Sequence, residues 1–88
     1  MKSVTIYTKD YCPYCDKAKN FFTESHIPFE EKDVKKNPEL LTEMLAKAKG
    51  RKTVPQIFFG SELIGGWDDL HTLILKGDLM ARLGPVKK

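Results

Sequence analysis

The sequence predicts an α/β fold: a mixed four-stranded sheet with helices on both faces, in the order β-α-β-α-β-β-α. Three observations predict it. The amino end is rich in β-branched and aromatic residues, as strands are. Two stretches with apolar residues at helical spacing then alternate with strand-like runs. The last two strand-like runs are joined by Gly60-Ser61, a two-residue hairpin signal.

The first strand is read over residues 3–8 and stops at Lys9-Asp10. From Pro13 the period changes. Tyr14, Ala18, Phe21 and Phe22 share one helical face, Asp16, Lys17, Lys19 and Asn20 take the other, and Pro13 suits a first turn. Ser25-His26-Ile27-Pro28 ends this helix. Residues 28–33 form a weaker strand, and Glu30-Glu31-Lys32 marks it as an edge. A helix-bearing connection makes these two strands parallel, with a right-handed crossover. Asn37-Pro38 caps the second helix, Leu40, Leu41, Met44, Leu45 and Ala48 make its apolar stripe, and Gly50 is its stop. Residues 55–59 and 62–65 form the antiparallel hairpin. Asp68 and Asp69 favour the start of the third helix, with Leu70, Leu73 and Ile74 on one face. Gly77 ends or kinks it, Leu79 and Leu83 continue the pattern, and residues 84–88 should fray.

Composition bounds the function. The 88 residues carry 15 Lys and Arg against 12 Asp and Glu, a formal charge of +3, with 41% apolar and 31% charged residues. These are values of an ordinary globular chain, and the length fits one domain over residues 1–88. No apolar run exceeds three residues, so neither a membrane span nor a signal-peptide core is expected, and the cytoplasm is the expected location. A charge of +3 is too weak to argue for nucleic acid and suits a small anionic partner at most.

The two cysteines, Cys12 and Cys15, are the informative pair. A bridge between such near neighbours closes too small a loop to stabilise the fold much, so the pair serves chemistry or a metal. A zinc ribbon needs a second Cys-x-x-Cys, and a zinc finger needs two neighbouring histidines; His26 and His71 are far apart. Cys12 falls where the first strand ends and a helix begins. Unpaired N–H groups and the helix dipole favour an anion there, and a thiolate is that anion. An ordinary thiol is only about 3% ionised at pH 7, whereas a pKa near 6 gives about 90%. Lys9 is near enough in sequence to add positive charge. Cys15 lies one turn further in, so the pair reads as an attacking thiol and a more buried resolving thiol.

Thr8-Lys9 before Cys12-Pro13-Tyr14-Cys15, then Thr53-Val54-Pro55-Gln56-Ile57-Phe58, then Gly65-Gly66-Trp67-Asp68-Asp69-Leu70, together resemble a dithiol glutaredoxin. The resemblance covers nearly the whole chain, in order and spacing. It implies the thioredoxin fold and glutathione as cosubstrate, with no metal required. It further implies a cis Val54–Pro55 bond beside the cysteines, with Val54 offering its backbone to the tripeptide and Thr53 beside it. Gly66 lets a ligand approach closely, and the N–H groups of Trp67 and Asp68 would receive the γ-glutamyl carboxylate. One of Asp68 and Asp69 would take the ammonium while the other caps the helix. Trp67 departs from the Cys, Ser or Ala that the family often carries there. Lys9 and Arg51, with Lys52 competing, are candidates for the glycyl carboxylate, and Tyr14 for packing along the tripeptide. Tyr7, Phe21, Phe22, Phe58 and Phe59 read as core, and His26 and His71 as surface.

The expected activity is therefore glutathione-dependent thiol–disulfide exchange by a monomer. Its substrates would be disulfide-containing or glutathionylated proteins, with ribonucleotide reductase a family-level possibility. Two other functions compete. One is reduction by thioredoxin reductase, against which Gly65-Gly66-Trp67-Asp68-Asp69 argues. The other is a cluster-bridged iron–sulfur dimer, against which the stiffening Pro13 and the competing Cys15 argue.

Overall fold

Residues 2–84 are described by the structure, a computed structural model. Four strands and four helices follow one another: β1 (Val4–Thr8), α1 (Pro13–Glu24), β2 (Phe29–Asp33), α2 (Pro38–Lys47), β3 (Gln56–Phe59), β4 (Glu62–Gly65), α3 (Trp67–Lys76) and α4 (Leu79–Leu83). The strands order as β2-β1-β3-β4, with β1 inside the sheet. β1 and β2 run parallel, with Val4 beside Phe29, and the other two pairings are antiparallel. β2 is an edge strand, and Glu30 and Glu31 on it are exposed.

Strand alternation divides the core in two. Val4 and Ile6 of β1 join Ile57 and Phe59 of β3 under Ala18 and Phe22 of α1, Leu70 of α3 and Leu83 of α4. Tyr7 and Phe58 face the other way, onto Met44 of α2, Ala48 at its C-cap and Val34. The aromatic residues assigned to the core are there: Tyr7, Phe22, Phe58 and Phe59 are buried, and Phe21 packs against the first cluster.

Several element boundaries differ from the sequence reading. The buried stripe of α1 runs through Cys15, Ala18 and Phe22, while Tyr14 points outward and is 55% exposed. In α2 the helix stops at Lys47, before Gly50, because Lys49 already takes a left-handed conformation at φ 58°. Leu41 is exposed, so the α2 stripe is narrower than its apolar content suggests. Gly66 caps α3, which therefore begins at Trp67 rather than at the two aspartates. Gly77, left-handed at φ 75°, ends α3 instead of kinking it, and Leu79–Leu83 form a separate fourth helix. The fraying expected at the carboxyl end falls on residues 85–88, outside the described residues.

Candidate active site

The turn from β1 into α1 sets the cysteines. Tyr11 is left-handed at φ 57°, and Cys12 follows in extended backbone as the N-cap of α1. Pro13 takes the first helical position, where its missing N–H costs nothing. The Cys12 Sγ accepts the Cys15 N–H at 3.1 Å, so a first-turn donor points at the sulfur. Cys12 and Cys15 are bridged, with their Cα atoms 5.2 Å apart. Cys12 keeps 8% of its surface exposed and Cys15 only 1%. An incoming sulfur therefore meets Cys12 first.

The Cys12 Sγ lies 3.8 Å from the carbonyl oxygen of Val54, across the chain. Val54 precedes Pro55 through a cis bond, the isomer the resemblance implied. Beyond it opens a cavity of about 330 Å³ lined by Tyr14, Arg51, Thr53, Val54, Pro55, Gly66, Trp67, Asp68 and Asp69. Three separate segments thus meet beside one sulfur. Lys9 and Lys52 are exposed and stand outside this lining.

The two aspartates divide. Asp69 Oδ2 accepts the Gly66 N–H at 3.0 Å and lies 3.5 Å from the Arg51 guanidinium. Gly65 stands at φ 118°, and a Cβ there would run into the Asp69 carboxylate. Asp68 is exposed at the same helix start, where the first N–H groups of α3 favour negative charge.

Two contacts in this region lie outside the sequence reading. Gln56 is fully buried, and its Nε2 donates to the Thr53 carbonyl at 2.9 Å and to the Thr53 hydroxyl at 3.2 Å. His71, read as surface, is exposed but stacks on Trp67. The i, i+4 spacing of these two rings was the available signal.

A second cavity, of about 380 Å³, lies on the α2 face and includes Tyr7, Lys32, Lys47 and Phe58. Glu43 already engages the Tyr7 hydroxyl and sits 2.8 Å from Lys32, so the charges there belong to the scaffold. Among the described residues, no group of three or more His, Cys, Asp or Glu side chains is arranged to hold a metal.

The glutaredoxin family model matches residues 4–64, which include the cysteine pair and the cis-proline segment. The chain belongs to the glutaredoxin family. Its bridged cysteine pair at a helix start is the working part of a thiol–disulfide oxidoreductase. The chain is 44% identical to glutaredoxin 3 of Escherichia coli (strain K12) over 79 residues, covering 90% of this chain and 94% of that protein. Among solved structures, the glutaredoxin of Brucella melitensis is 42% identical, with a TM-score of 0.78 over 99% of this chain and 96% of that one. A buckwheat glutaredoxin solved as a glutathione complex is 25% identical, with a TM-score of 0.81 over 93% of this chain and 76% of that one. The mixed sheet with helices on both faces is the thioredoxin fold of these glutaredoxins. Among the described residues, no helix is long and apolar enough to cross a membrane.

Proposed function

We propose that this glutaredoxin reduces glutathione mixed disulfides and protein disulfides with glutathione as the electron donor. The observation that carries the reading is the Cys12 sulfur. It accepts the Cys15 N–H and lies 3.8 Å from the Val54 carbonyl, at the edge of a cavity of mixed polar and apolar lining sized for a short peptide. The similarity to a glutaredoxin solved with glutathione supports the same choice of ligand.

In the one-cysteine route the Cys12 thiolate attacks the glutathionyl sulfur of a modified protein. The protein leaves as a thiolate and takes a proton, and Cys12 holds the glutathionyl group. A second glutathione thiolate attacks that adduct, releasing glutathione disulfide and the Cys12 thiolate. In the two-cysteine route Cys12 attacks a protein disulfide, and Cys15, one turn further in, displaces the product. The Cys12–Cys15 bridge results, and two glutathiones restore the dithiol as they become one glutathione disulfide.

The tripeptide would lie across the cavity. Val54 would pair with its backbone as a short added strand, with Thr53 and Pro55 shaping the floor and Tyr14 packing alongside. The N–H groups of Trp67 and Asp68, approached over Gly66, would hold the γ-glutamyl carboxylate at the start of α3. Asp68 would take the ammonium, because Asp69 is committed to Gly66 and Arg51. Lys9, with either Arg51 or Lys52, would supply charge for the glycyl carboxylate. We read residues 1–88 as one monomeric glutaredoxin domain, working in the cytoplasm, where thiols stay reduced. Ribonucleotide reductase is one candidate among its protein substrates.

The test is turnover of a small glutathione mixed disulfide, coupled to glutathione reductase and compared with thioredoxin reductase as the electron source. The expected result is turnover with glutathione alone. Cys12→Ser loses all activity, and Cys15→Ser loses protein-disulfide reduction while keeping deglutathionylation. Turnover only with thioredoxin reductase, or equal loss of both activities in Cys15→Ser, overturns the reading.

A further inference from the structure

The indole of Trp67 and the imidazole of His71 lie with ring centroids 5.3 Å apart and planes 11° from parallel. The two residues sit i, i+4 on α3, so they share a helix face. Trp67 is half-buried, leans on the core cluster beneath α1 and α3, and lines the cavity beside Cys12. His71 is exposed and is absent from that lining. An exposed imidazole adds little to a core, so its effect falls on the ring it covers. Trp67 opens α3 and has no preceding helical turn to confine its side chain.

We infer that His71 is a positioning residue for the glutathione step: stacked on Trp67, it fixes the indole in the cavity wall before the tripeptide arrives. The inference rests on the cavity being the glutathione subsite. Ordering a wide aromatic ring in advance lowers the entropy lost when the ligand binds. The effect is confined to binding, because neither ring touches the Cys12 sulfur in the contacts that set it. The wall needs a flat partner on the indole, not an imidazole as such.

Steady-state kinetics with a small glutathione mixed disulfide varied at saturating glutathione provide the test, because the mixed disulfide brings in the glutathionyl group that fills the cavity. They are run on wild type, His71→Ala, His71→Phe, Trp67→Ala and the Trp67→Ala/His71→Ala pair. His71→Ala is expected to raise the KM for the mixed disulfide about threefold to tenfold, with kcat within about twofold of wild type. His71→Phe restores the wild-type KM. In the Trp67→Ala background, His71→Ala changes nothing further. Because Trp67 is the single tryptophan, its fluorescence anisotropy reports the ring directly, falling in His71→Ala and recovering in His71→Phe. A wild-type KM in His71→Ala overturns the inference alone, as does a raised KM that His71→Phe leaves unrescued or that persists without Trp67. A wild type that does not turn over with glutathione overturns the glutathione reading and this inference together.

Discussion

Asp69 folds back onto Gly66: its Oδ2 accepts the Gly66 N–H at 3.0 Å and closes the first turn of α3. The same carboxylate fills the space that a side chain at Gly65 would need. One acidic residue thus sets the shape of the glycine pair against which the cavity is built.

Loss of this contact should be seen in stability first. Asp69→Ala is expected to cost about 1 kcal/mol, the usual worth of a helix-capping side chain. Gly65→Ala should cost more, through the positive φ and the collision. The double variant should lose less than the sum, because removing the carboxylate relieves the collision. Urea midpoints of the three variants check this, and strict additivity would refute the coupling.

Gln56 lies under the Thr53 segment, with its Oε1 buried and unpartnered while Nε2 holds Thr53. Gln56→Leu removes an unsatisfied buried oxygen along with the two donor bonds, so its effects on stability partly offset. The segment loses its tether. The KM for a glutathione mixed disulfide should rise about threefold, as expected for one lost ordering contact, while the urea midpoint moves little. An unchanged KM counts against a tethering role.

Three carboxylates make the fold sensitive to acid. The Thr8 hydroxyl and Lys19 hold Glu31 below its ordinary value, Lys32 and Tyr7 do so for Glu43, and Arg82 and Lys2 for Glu62. Each is a stronger acid folded than unfolded, so the unfolded chain binds more protons in acid. Their contribution is complete above the ordinary value of 4.5 and is lost as pH falls through the lowered folded values. The urea midpoint should therefore decline below about pH 4.5, and less steeply in Glu31→Gln. Equal slopes for the two proteins would remove Glu31 from the explanation.

The reduced protein should react unevenly with iodoacetamide. Cys12, the more accessible of the two at 8% and facing the Cys15 N–H, takes the label, and Cys15, at 1% exposure, stays unlabelled until the chain unfolds. The labelling rate should rise to its plateau with a midpoint at a lower pH than that of an ordinary thiol, because the start of α1 favours the anion. Lys9→Ala should move that midpoint upward; an unmoved midpoint denies Lys9 its electrostatic part. Peptide mass mapping separates the two cysteines.

Local signals carried most of the fold. Strand alternation, Pro13 and Pro38 at first helical positions, and the Gly60-Ser61 turn are each decided by a few neighbouring residues. The order β2-β1-β3-β4 was beyond such signals, because it depends on which strand docks beside β1. At the cavity, the motifs marked residues by type, whereas the structure brings distant segments together. Sequence does not separate the parts of Asp68 and Asp69, because only the approach of Gly66 and Arg51 distinguishes two adjacent acids. Tyr14 suits the apolar face by its chemistry, yet Cys15 is the residue α1 turns inward. His71 reads as surface and Gln56 as one position of a strand, because the contacts each makes, with Trp67 and with Thr53, are set by the fold.

The chain has two sulfhydryl-bearing residues, and in the bridged form both are spent on each other. In that form it offers peroxides and alkylating electrophiles no nucleophilic thiolate, so overoxidation has nowhere to begin. Vulnerability arises only once the bridge is opened, and then chiefly at Cys12, while Cys15 stays shielded within α1. The protein can thus wait out oxidising conditions in a chemically quiet state and become reactive only when reductant is at hand.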